Sequence, residues 1–310
     1  MKNKPKLFVL VGLSGSGKST FAQELVKEEN AIIVSSDAIR EEVFNNYEDQ
    51  EHNTEVFQIF HKRIRKALEN KQNVIADATN LTMKSRRAIL MNVKWLDIEK
   101  ICYIIAKPFE LCVTDNENRQ HPVPLGVIKK QMRMFQIPYY EEGFAGIHIV
   151  SCDEWKKYRR TSTSMLIDMK DFDQKTPHHT MMLDCHCMNV YQLFCKTRLT
   201  TSFLSQEYFD PYVMGAKLHD IGKLHCQSFD EGGIAHYYEH ESYGSYYVLT
   251  QLVVPFTWND DMLLYCCFLI NYHMLPFGWK TEKSKQKWKE RFGEYKYQML
   301  LDFHECDIAR

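Results

Sequence analysis

Two features that would place a chain in particular classes are missing from this sequence. It has no run of about eighteen or more apolar residues, so no membrane span is expected. It also has no long basic run, and its net charge is −1, so it is not expected to wrap duplex nucleic acid. If nucleic acid is a substrate, we expect a short contact that is limited to an end.

Zinc-type cysteine spacing is missing as well. None of the ten cysteines forms a C-x-x-C pair, and the single C-x-C around His186 is a weak metal signal. Reduced thiols are therefore expected, which favours a cytoplasmic protein. The basic, apolar start leads directly into a glycine-rich loop, so we interpret it as a strand and not as a signal peptide.

The 310 residues are enough for two domains. Residues 1–155 alternate short apolar runs with helical patterns, which predicts a parallel sheet with helices on both faces. Residues 156–176 are polar with little periodicity and are predicted to be a linker. Residues 177–310 show only helical patterns, including "PYVMGAKLHDIGKLH" read as one helix, and are predicted to be all-α.

The stretch "GLSGSGKST" follows the first strand and precedes a helix. It is a P-loop pattern, whose glycines let backbone amides surround phosphate oxygens, while Lys18 contacts the β and γ phosphates and Ser19 holds Mg²⁺. The pattern predicts an ATP site. The residues predicted to bind the nucleotide are Gly12, Ser14, Gly15, Ser16, Gly17, Lys18, Ser19 and Thr20.

Polar side chains follow the second and third strands, at the edge of a parallel sheet where ligands bind. Asp37 could accept a proton from an attacking hydroxyl, and Arg40 could hold a phosphate, although a helix cap and a surface arginine fit the spacing equally. Asp77 and Asn80 are candidates for acceptor binding; Asp77 could also assist the metal or cap a helix. Arg119 lies in a polar stretch that could close over the transferring group.

Together these motifs resemble the 5′-hydroxyl polynucleotide kinase family over most of residues 6–150. The resemblance implies transfer of the ATP γ-phosphoryl group to a polynucleotide 5′-hydroxyl. It implies Asp37 as general base, Arg40 as an acceptor-side phosphate contact and Arg119 as the lid residue on the donor phosphates. The chain departs from the family pattern at His121, where a strongly basic residue is expected, and it lacks the D-x-D-x-T motif of the associated phosphatase.

The C-terminal helical patterns carry imidazoles and carboxylates that are hard to bury without a partner. Such groups make good ligands for divalent metals, and Asp220 could bridge two ions. The candidate ligands are His186, His219, Asp220, His240, His273 and Asp307.

The order H…HD…H…H…D resembles the HD-type metal phosphohydrolases, and locally the HD domain associated with tRNA nucleotidyltransferases. The resemblance implies a helical domain with one or two divalent ions, such as Mn²⁺, Ni²⁺, Co²⁺, Fe²⁺ or Mg²⁺. The first ion would be held by His186, His219, Asp220 and Asp307, and the second by His240 and His273 with Asp220. His236 fits the pattern as a phosphate contact. Lys223 could neutralise a phosphate, or be a surface lysine.

The pairing of a phosphoryl-transfer site with a phosphoester hydrolase site resembles kinase–HD fusions that heal broken RNA. The predicted substrates are RNA ends, with DNA as an alternative. The kinase would phosphorylate a 5′-hydroxyl, the HD domain would hydrolyse a 2′,3′-cyclic phosphate or 3′-phosphate, and a separate RNA ligase could join the ends. A kinase for small nucleosides or nucleotides with an HD nucleotide phosphohydrolase is the enzymatic alternative. A non-catalytic nucleotide or nucleic-acid sensor is the alternative from another class.

Overall fold

The computed structural model describes residues 4–45, 51–176, 181–198 and 210–309. The chain divides into two compact units, which are described separately. The first comprises residues 1–131 and 138–151, and the second comprises residues 132–137 and 152–310. The predicted start of the C-terminal domain, at residues 177–180, lies outside the described residues.

The first unit contains a five-stranded sheet in the order β2-β3-β1-β4-β5. All four pairings of neighbouring strands are parallel, which confirms the predicted parallel α/β sheet. The strands are β1 (Lys6–Val11), β2 (Ala31–Ser35), β3 (Asn73–Asp77), β4 (Glu99–Ile105) and β5 (Gly146–Val150). The central strand β1 is buried along nearly its whole length, with Leu7 to Val11 at 0% exposure, because a central parallel strand is covered on both faces.

Among the described residues of this part of the chain, six α-helices lie between these strands. They are α1 (Lys18–Glu29), α2 (Ser36–Phe44), α3 (Asn53–Glu69), α4 (Met83–Asn92), α5 (Phe109–Glu117) and α6 (Leu125–Arg133). Hydroxyl caps explain where two of them begin: the Ser35 side chain accepts from the amide of Ala38, and the Thr82 side chain from that of Ser85.

A charged pair lies inside the first unit. The Arg86 guanidinium donates to both carboxylate oxygens of Glu142, at 2.9 and 2.6 Å, and both side chains are fully buried. The guanidinium also donates to the carbonyl oxygens of Asn80 and Leu81, at 3.1 and 3.2 Å. The pair therefore fixes the segment that follows β3, and the sequence patterns did not identify it.

The second unit is mainly helical, as predicted. Its helices are α7 (Ser162–Asp168), α8 (Leu183–Thr197), α9 (Pro211–Leu218), α10 (Lys223–Cys226), α11 (His240–Gln251), α12 (Asp260–Tyr272) and α13 (Glu282–Ile308). No helix among the described residues is both long enough and apolar enough to cross a membrane.

Three details differ from the sequence expectations. The stretch predicted to be a linker contains α7, which begins at a Thr161 cap and buries Met165 completely. A two-stranded antiparallel pair, β6 (Ser228–Phe229) and β7 (Ala235–His236), interrupts the helical domain. The side chain of Asp230 accepts from the amides of Gly232 and Ile234 and so organises the turn between these strands.

The third difference concerns the helix predicted to contain the His219–Asp220 doublet. Helix α9 ends at Leu218, and the doublet lies in a tight turn in which the amide of Ile221 donates to the carbonyl of Leu218 at 3.1 Å. A Cβ at Gly222 would lie 1.9 Å from the carbonyl oxygen of His240. The close approach of α11 to this turn is a tertiary constraint, so helical periodicity could not reveal it.

Candidate functional sites

The loop between β1 and α1 has two glycines in the left-handed region. Gly15 has a φ of 79°, and Gly17, the N-cap of α1, has a φ of 94°. A Cβ at Gly15 would also lie 2.0 Å from the carbonyl oxygen of Cys112. The backbone conformation favours glycine at both positions, and packing also requires it at Gly15. The loop turns at a helix N-terminus, where amides attract phosphate oxygens.

Lys18 is the first residue of α1 and is 9% exposed. Its Nζ donates to the carbonyl oxygen of Leu13 at 2.7 Å, which holds the ammonium group against the loop. Burial lowers the pKa of Lys18, and the nearby carboxylates of Asp77 and Asp37 oppose that shift. The ammonium group thus lies beside the loop, where a nucleotide phosphate would complete its neutralisation.

The remaining residues of the loop differ in their hydrogen-bond partners. The amide of Gly12 donates to the carbonyl of Thr79 at 3.1 Å, and the amide of Ser14 donates to Oε1 of Gln131 at 2.8 Å. Ser16 Oγ is buried, and no hydrogen-bond partner for it occurs among the described residues. A ligand oxygen would satisfy this hydroxyl. Thr20 is exposed on α1.

Ser19 and Asp77 form the pair that could hold Mg²⁺. Ser19 Oγ donates to Oδ2 of Asp77 at 3.1 Å. Burial raises the pKa of Asp77, while the Lys18 charge and the Ser19 hydrogen bond oppose the rise. Asp77 thus contacts the hydroxyl that is predicted to hold Mg²⁺, and its metal-side and acceptor roles both stay predictions.

Asp37 and Arg40 meet on the first turns of α2. Arg40 is nearly buried and donates through Nη1 to Oδ1 of Asp37 at 2.7 Å and through Nη2 to Oδ1 of Asn53 at 2.7 Å. Asp37 keeps 46% of its side chain exposed. The arrangement is an accessible carboxylate held by a buried guanidinium.

A cavity of about 510 Å³ brings Ser19, Asp37 and Asp77 to one surface. Its lining also includes Gln23, Glu41 and Arg63, which the sequence analysis did not identify. These three residues lie on helices α1 to α3 without a motif of their own, so their position depends on the packing of those helices.

Two other predicted residues have different surroundings. The side-chain Nδ2 of Asn80 donates to the carbonyl oxygen of Leu10 at 2.8 Å, and more distantly to those of Ala76 and Ala78. The side chain therefore fixes the backbone after β3. The predicted acceptor contact of Asn80 stays a prediction. Arg119 lies between α5 and α6, and its charge acts on the pKa values of Lys18 and Asp77. Arg119 is therefore close to the phosphate loop.

In the second unit, four predicted ligands form one group. Nε2 of His186 lies 3.3 Å from Nε2 of His219 and 3.1 Å from Oδ1 of Asp307. Oδ2 of Asp220 lies 3.3 Å from Nε2 of His219 and 3.6 Å from that of His186. All four side chains are at least nine-tenths buried.

The other oxygen of Asp220 faces a second group. Its Oδ1 lies 3.1 Å from Nε2 of His240 and 3.6 Å from Nε2 of His273. These two nitrogens are 3.2 Å apart. Asp220 therefore lies between two clusters of ligand atoms, one on each carboxylate oxygen.

Backbone carbonyls orient three of the four imidazoles. Nδ1 of His219 lies 2.9 Å from the carbonyl of Ala216, and Nδ1 of His240 and of His273 each lie 2.8 Å from those of Tyr237 and Ile270. Because a carbonyl only accepts, each Nδ1 carries hydrogen, and each Nε2 can present a lone pair to the cluster.

The two clusters fit divalent cations. Imidazole lone pairs that face each other at 3.2–3.3 Å repel unless a proton or a metal lies between them. Ligand atoms bound about 2.1 Å from one ion lie roughly 3.0–3.4 Å apart, which is close to the separations found here. The ligand atoms within each of the groups His186–His219–Asp220 and Asp220–His240–His273 all lie within 4.8 Å of one another.

Burial and neighbouring charges shift the pKa values of several residues in the two clusters. Burial opposes ionisation of Asp220, but Lys223 and His219 hold its pKa well below the ordinary value. Burial likewise opposes protonation of His219, yet the Asp220 carboxylate raises the pKa of His219 well above its ordinary value. Burial lowers the pKa of His273 and favours its neutral, ligand-competent form.

The two predicted phosphate contacts differ from each other. Lys223 is buried, which argues against a surface lysine, and its Nζ donates to Oδ2 of Asp220 at 2.7 Å and to Gln174 at 2.9 Å. His236 contacts Oδ2 of Asp230 at 3.1 Å and stacks on Tyr238. These contacts of His236 are with residues of the β6–β7 hairpin and its flank.

A family match covers the N-terminal part of the chain. Residues 7–138, less than half of the chain, match the family described as AAA domain. The chain is 32% identical over 140 residues to the L-seryl-tRNA(Sec) kinase of Methanococcus maripaludis, which corresponds to 43% of this chain. It spans about half, 53%, of the length of that curated relative.

Solved structures give more distant likenesses. The Pnkp1/Rnl/Hen1 RNA repair complex contains a chain that is 28% identical, with a TM-score of 0.37, 42% of this chain covered and 44% of that chain covered. A gluconokinase from Sinorhizobium meliloti is 14% identical with a TM-score of 0.35, covering 49% of this chain and 86% of that chain. The family match and the tRNA kinase, together with the loop geometry, make the first unit a kinase-like P-loop domain, for which ATP and Mg²⁺ are the implied ligands.

Proposed function

We propose that this chain is a bifunctional RNA end-healing enzyme. The N-terminal domain phosphorylates 5′-hydroxyl ends with ATP, and the C-terminal HD domain hydrolyses 2′,3′-cyclic phosphate or 3′-phosphate ends with divalent metal ions. The observation that carries the proposal is that one chain holds both a P-loop beside an accessible carboxylate and two buried metal-type clusters that share Asp220.

The kinase half follows from the side chains around the cavity of the first unit. Asp37 accepts the proton of the attacking hydroxyl, and Arg40 orients that carboxylate at 2.7 Å. The new bond forms between the oxygen of the attacking hydroxyl and the γ-phosphorus of ATP. The bond from the γ-phosphorus to the bridging oxygen of ADP breaks. Lys18 and Arg119 neutralise charge on the donor phosphates, and Ser19 and Asp77 hold the accompanying Mg²⁺.

An RNA-borne acceptor is favoured by the sequence similarity to a kinase named for a tRNA substrate. The same observation supports a second candidate, in which the hydroxyl acceptor belongs to a seryl group esterified to tRNA. Free nucleosides and nucleotides are the small-molecule alternative, and a sensor without turnover is the non-catalytic alternative.

The hydrolase half follows from the two clusters. His186, His219, Asp220 and Asp307 would hold one ion, and Asp220, His240 and His273 would hold the other. Ions bound there would lower the pKa of a water ligand toward neutral, which would supply hydroxide for attack on a phosphoester. Lys223, next to Asp220, contributes a fixed positive charge at the same place. The healed ends would then be substrates for a separate RNA ligase.

The test uses one RNA oligonucleotide with a 5′-hydroxyl and a 2′,3′-cyclic phosphate, incubated with ATP, Mg²⁺ and Mn²⁺. Both ends should be processed by the wild type. Lys18→Ala should abolish 5′ phosphorylation and spare the 3′ reaction, and Asp220→Ala should do the reverse. End products are separated by electrophoresis and identified by mass.

Parallel reactions distinguish the alternatives. If free nucleosides or seryl-tRNA are phosphorylated and the RNA 5′-hydroxyl is not, the proposed kinase substrate is wrong. If Asp220→Ala still processes the 3′ end, the HD domain does not catalyse that reaction. Absence of both ATP turnover and ester hydrolysis in the metal-loaded wild type would favour the sensor.

A further inference from the structure

The first part of α13, from Glu282 to Phe292, concentrates positive charge. Its basic residues are Lys283, Lys285, Lys287, Lys289 and Arg291, and its acids are Glu282 and Glu290. The chain as a whole has a net charge of −1, so this segment differs in sign from the average of the molecule. An excess of this kind on one helix is an electrostatic signal for a polyanionic partner.

Two of the five basic side chains are paired with acids. Lys285 lies 2.8 Å from Glu282, and Lys289 lies 2.8 Å from Glu294. The remaining three, Lys283, Lys287 and Arg291, follow each other at intervals of four residues and form one stripe on the helix. Like charges at this spacing repel each other, and Glu290, three residues after Lys287, is the acid on the same face of the helix, so the stripe keeps an excess of positive charge.

An aromatic ring lies beside this stripe. Nζ of Lys287 is 5.3 Å from the ring centroid of Trp288, and the Arg291 guanidinium carbon is 5.0 Å from it. The indole packs on Phe292 at 5.1 Å and stays partly exposed. Two cationic side chains therefore lie over a partly exposed indole ring. Single-stranded nucleic acid binds to aromatic rings among cations, because a base stacks on a ring while phosphates contact the charges.

The stripe lies between two of the candidate metal ligands, His273 and Asp307, along the sequence. Trp288 lies 6.4 Å from Trp279, which follows the ligand His273 by only six positions in the chain. Helix α13 is interrupted at Gly293, where φ is 74° and ψ is 163°, and its second part carries the ligand Asp307. The basic segment and the ligand segment are therefore two helical stretches joined at Gly293.

We propose that Lys283, Lys287, Arg291 and Trp288, the basic stripe, bind single-stranded RNA upstream of the end that the HD domain processes. The lysines and Arg291 contact successive phosphates, and one base stacks on Trp288. The proposal rests on the proposed function for the choice of RNA. Charge complementarity and the cation-flanked ring favour RNA over an anionic membrane, since the apolar side of this segment, at Phe292, is already buried.

Binding is measured by fluorescence anisotropy with a labelled ten-nucleotide RNA bearing a 3′-phosphate, over a series of salt concentrations. Lys283→Ala/Lys287→Ala should weaken binding at least tenfold at low salt. It should also reduce the magnitude of the slope of log K against log salt by about 1.4, since each phosphate contact on a single strand contributes about 0.7. The matched control is Lys27→Ala/Lys94→Ala, which removes two exposed lysines of the first unit and should leave the slope unchanged.

The stacking contact is tested by a pair of variants. Trp288→Leu should weaken binding roughly fivefold or more, and Trp288→Phe, which keeps an aromatic face, should recover most of that loss. Equal losses in both variants would contradict stacking.

Hydrolysis of bis-p-nitrophenyl phosphate with Mn²⁺ separates the two proposals. The stripe variants should hydrolyse this small ester at the wild-type rate, which also shows that they are folded. Unchanged RNA affinity and salt slope in Lys283→Ala/Lys287→Ala would contradict RNA binding by the stripe. Loss of binding to phosphatidylserine vesicles in this variant, with unchanged RNA affinity, would also contradict it. If the wild type processes neither end of the RNA, the proposed function fails instead, whatever the binding result.

Discussion

Asp220 is the residue on which the proposed metal chemistry depends. Its two oxygens face different imidazole pairs, with Oδ2 3.3 Å from His219 and Oδ1 3.1 Å from His240. A single carboxylate that serves both groups makes the two ions interdependent. Asp307, in contrast, contacts only the group of His186 and His219 among the described ligands.

The two carboxylates should therefore differ in their effect on metal content. Wild-type protein loaded with Mn²⁺ and freed of excess ion should contain about two ions per chain by elemental analysis. Asp307→Asn should retain about one, and Asp220→Asn should retain close to none, because it weakens both groups. His236→Ala is the control, since His236 contacts Asp230 and Tyr238, and should keep the wild-type content. Equal metal content in Asp220→Asn and the wild type would contradict the bridging role.

At the scale of secondary-structure elements, local sequence signals predicted what local geometry controls. The strands, the P-loop and the helical nature of the second unit follow from periodicity and from glycine positions. The break after Leu218, the helix in the predicted linker and the role of Asn80 depend on contacts made elsewhere in the chain. Periodicity carries no information on these contacts, so the sequence could not reveal them.

The buried Arg86–Glu142 pair shows the same limit for single residues. The two residues are 56 positions apart and belong to no motif, yet they lie 2.6 Å from each other with no exposed side-chain surface. The candidate metal ligands were identifiable because their spacing resembles a known family. A positioning pair without such a pattern becomes visible only when the tertiary structure is known.

Gly222 tests how strongly the turn after α9 depends on close packing. A Cβ at this position would lie 1.9 Å from the carbonyl oxygen of His240 and 2.6 Å from the amide of Gly244. Gly222→Ala should therefore displace α11 from the turn, separate His240 from Asp220, and lower Mn²⁺ affinity at least tenfold, as measured by titration calorimetry.

Gly126→Ala provides the matched control for this change. Gly126 lies inside α6, and a Cβ there would have no atom within 4 Å. This substitution should leave metal affinity unchanged and stabilise the chain by about 0.5–1 kcal/mol in urea denaturation, because alanine loses less backbone entropy in a helix. Equal metal affinities in Gly222→Ala and Gly126→Ala would mean that the turn tolerates a side chain.

At the scale of the whole molecule, the two candidate sites lie in different compact units. The P-loop residues and Asp77 belong to the first unit, and all six candidate metal ligands belong to the second. A ligand stabilises the structure that it binds by mass action, in proportion to the logarithm of its concentration over its Kd. Each ligand should therefore slow hydrogen exchange mainly in the unit that contains its site.

Hydrogen–deuterium exchange measured by mass spectrometry resolves this expectation by peptide. Removal of metal with EDTA should accelerate exchange of amides in α9, α11 and α12 by up to about 100-fold, which corresponds to an ion concentration 100 times its Kd. Peptides from β1 and α1 should be unaffected by EDTA and protected by MgATP. In Asp220→Ala, EDTA should have no further effect on the helical peptides, because the ions that it would remove are not bound. Faster exchange across both units on chelation, with the MgATP effect equally spread, would mean that the two sites are not energetically separate.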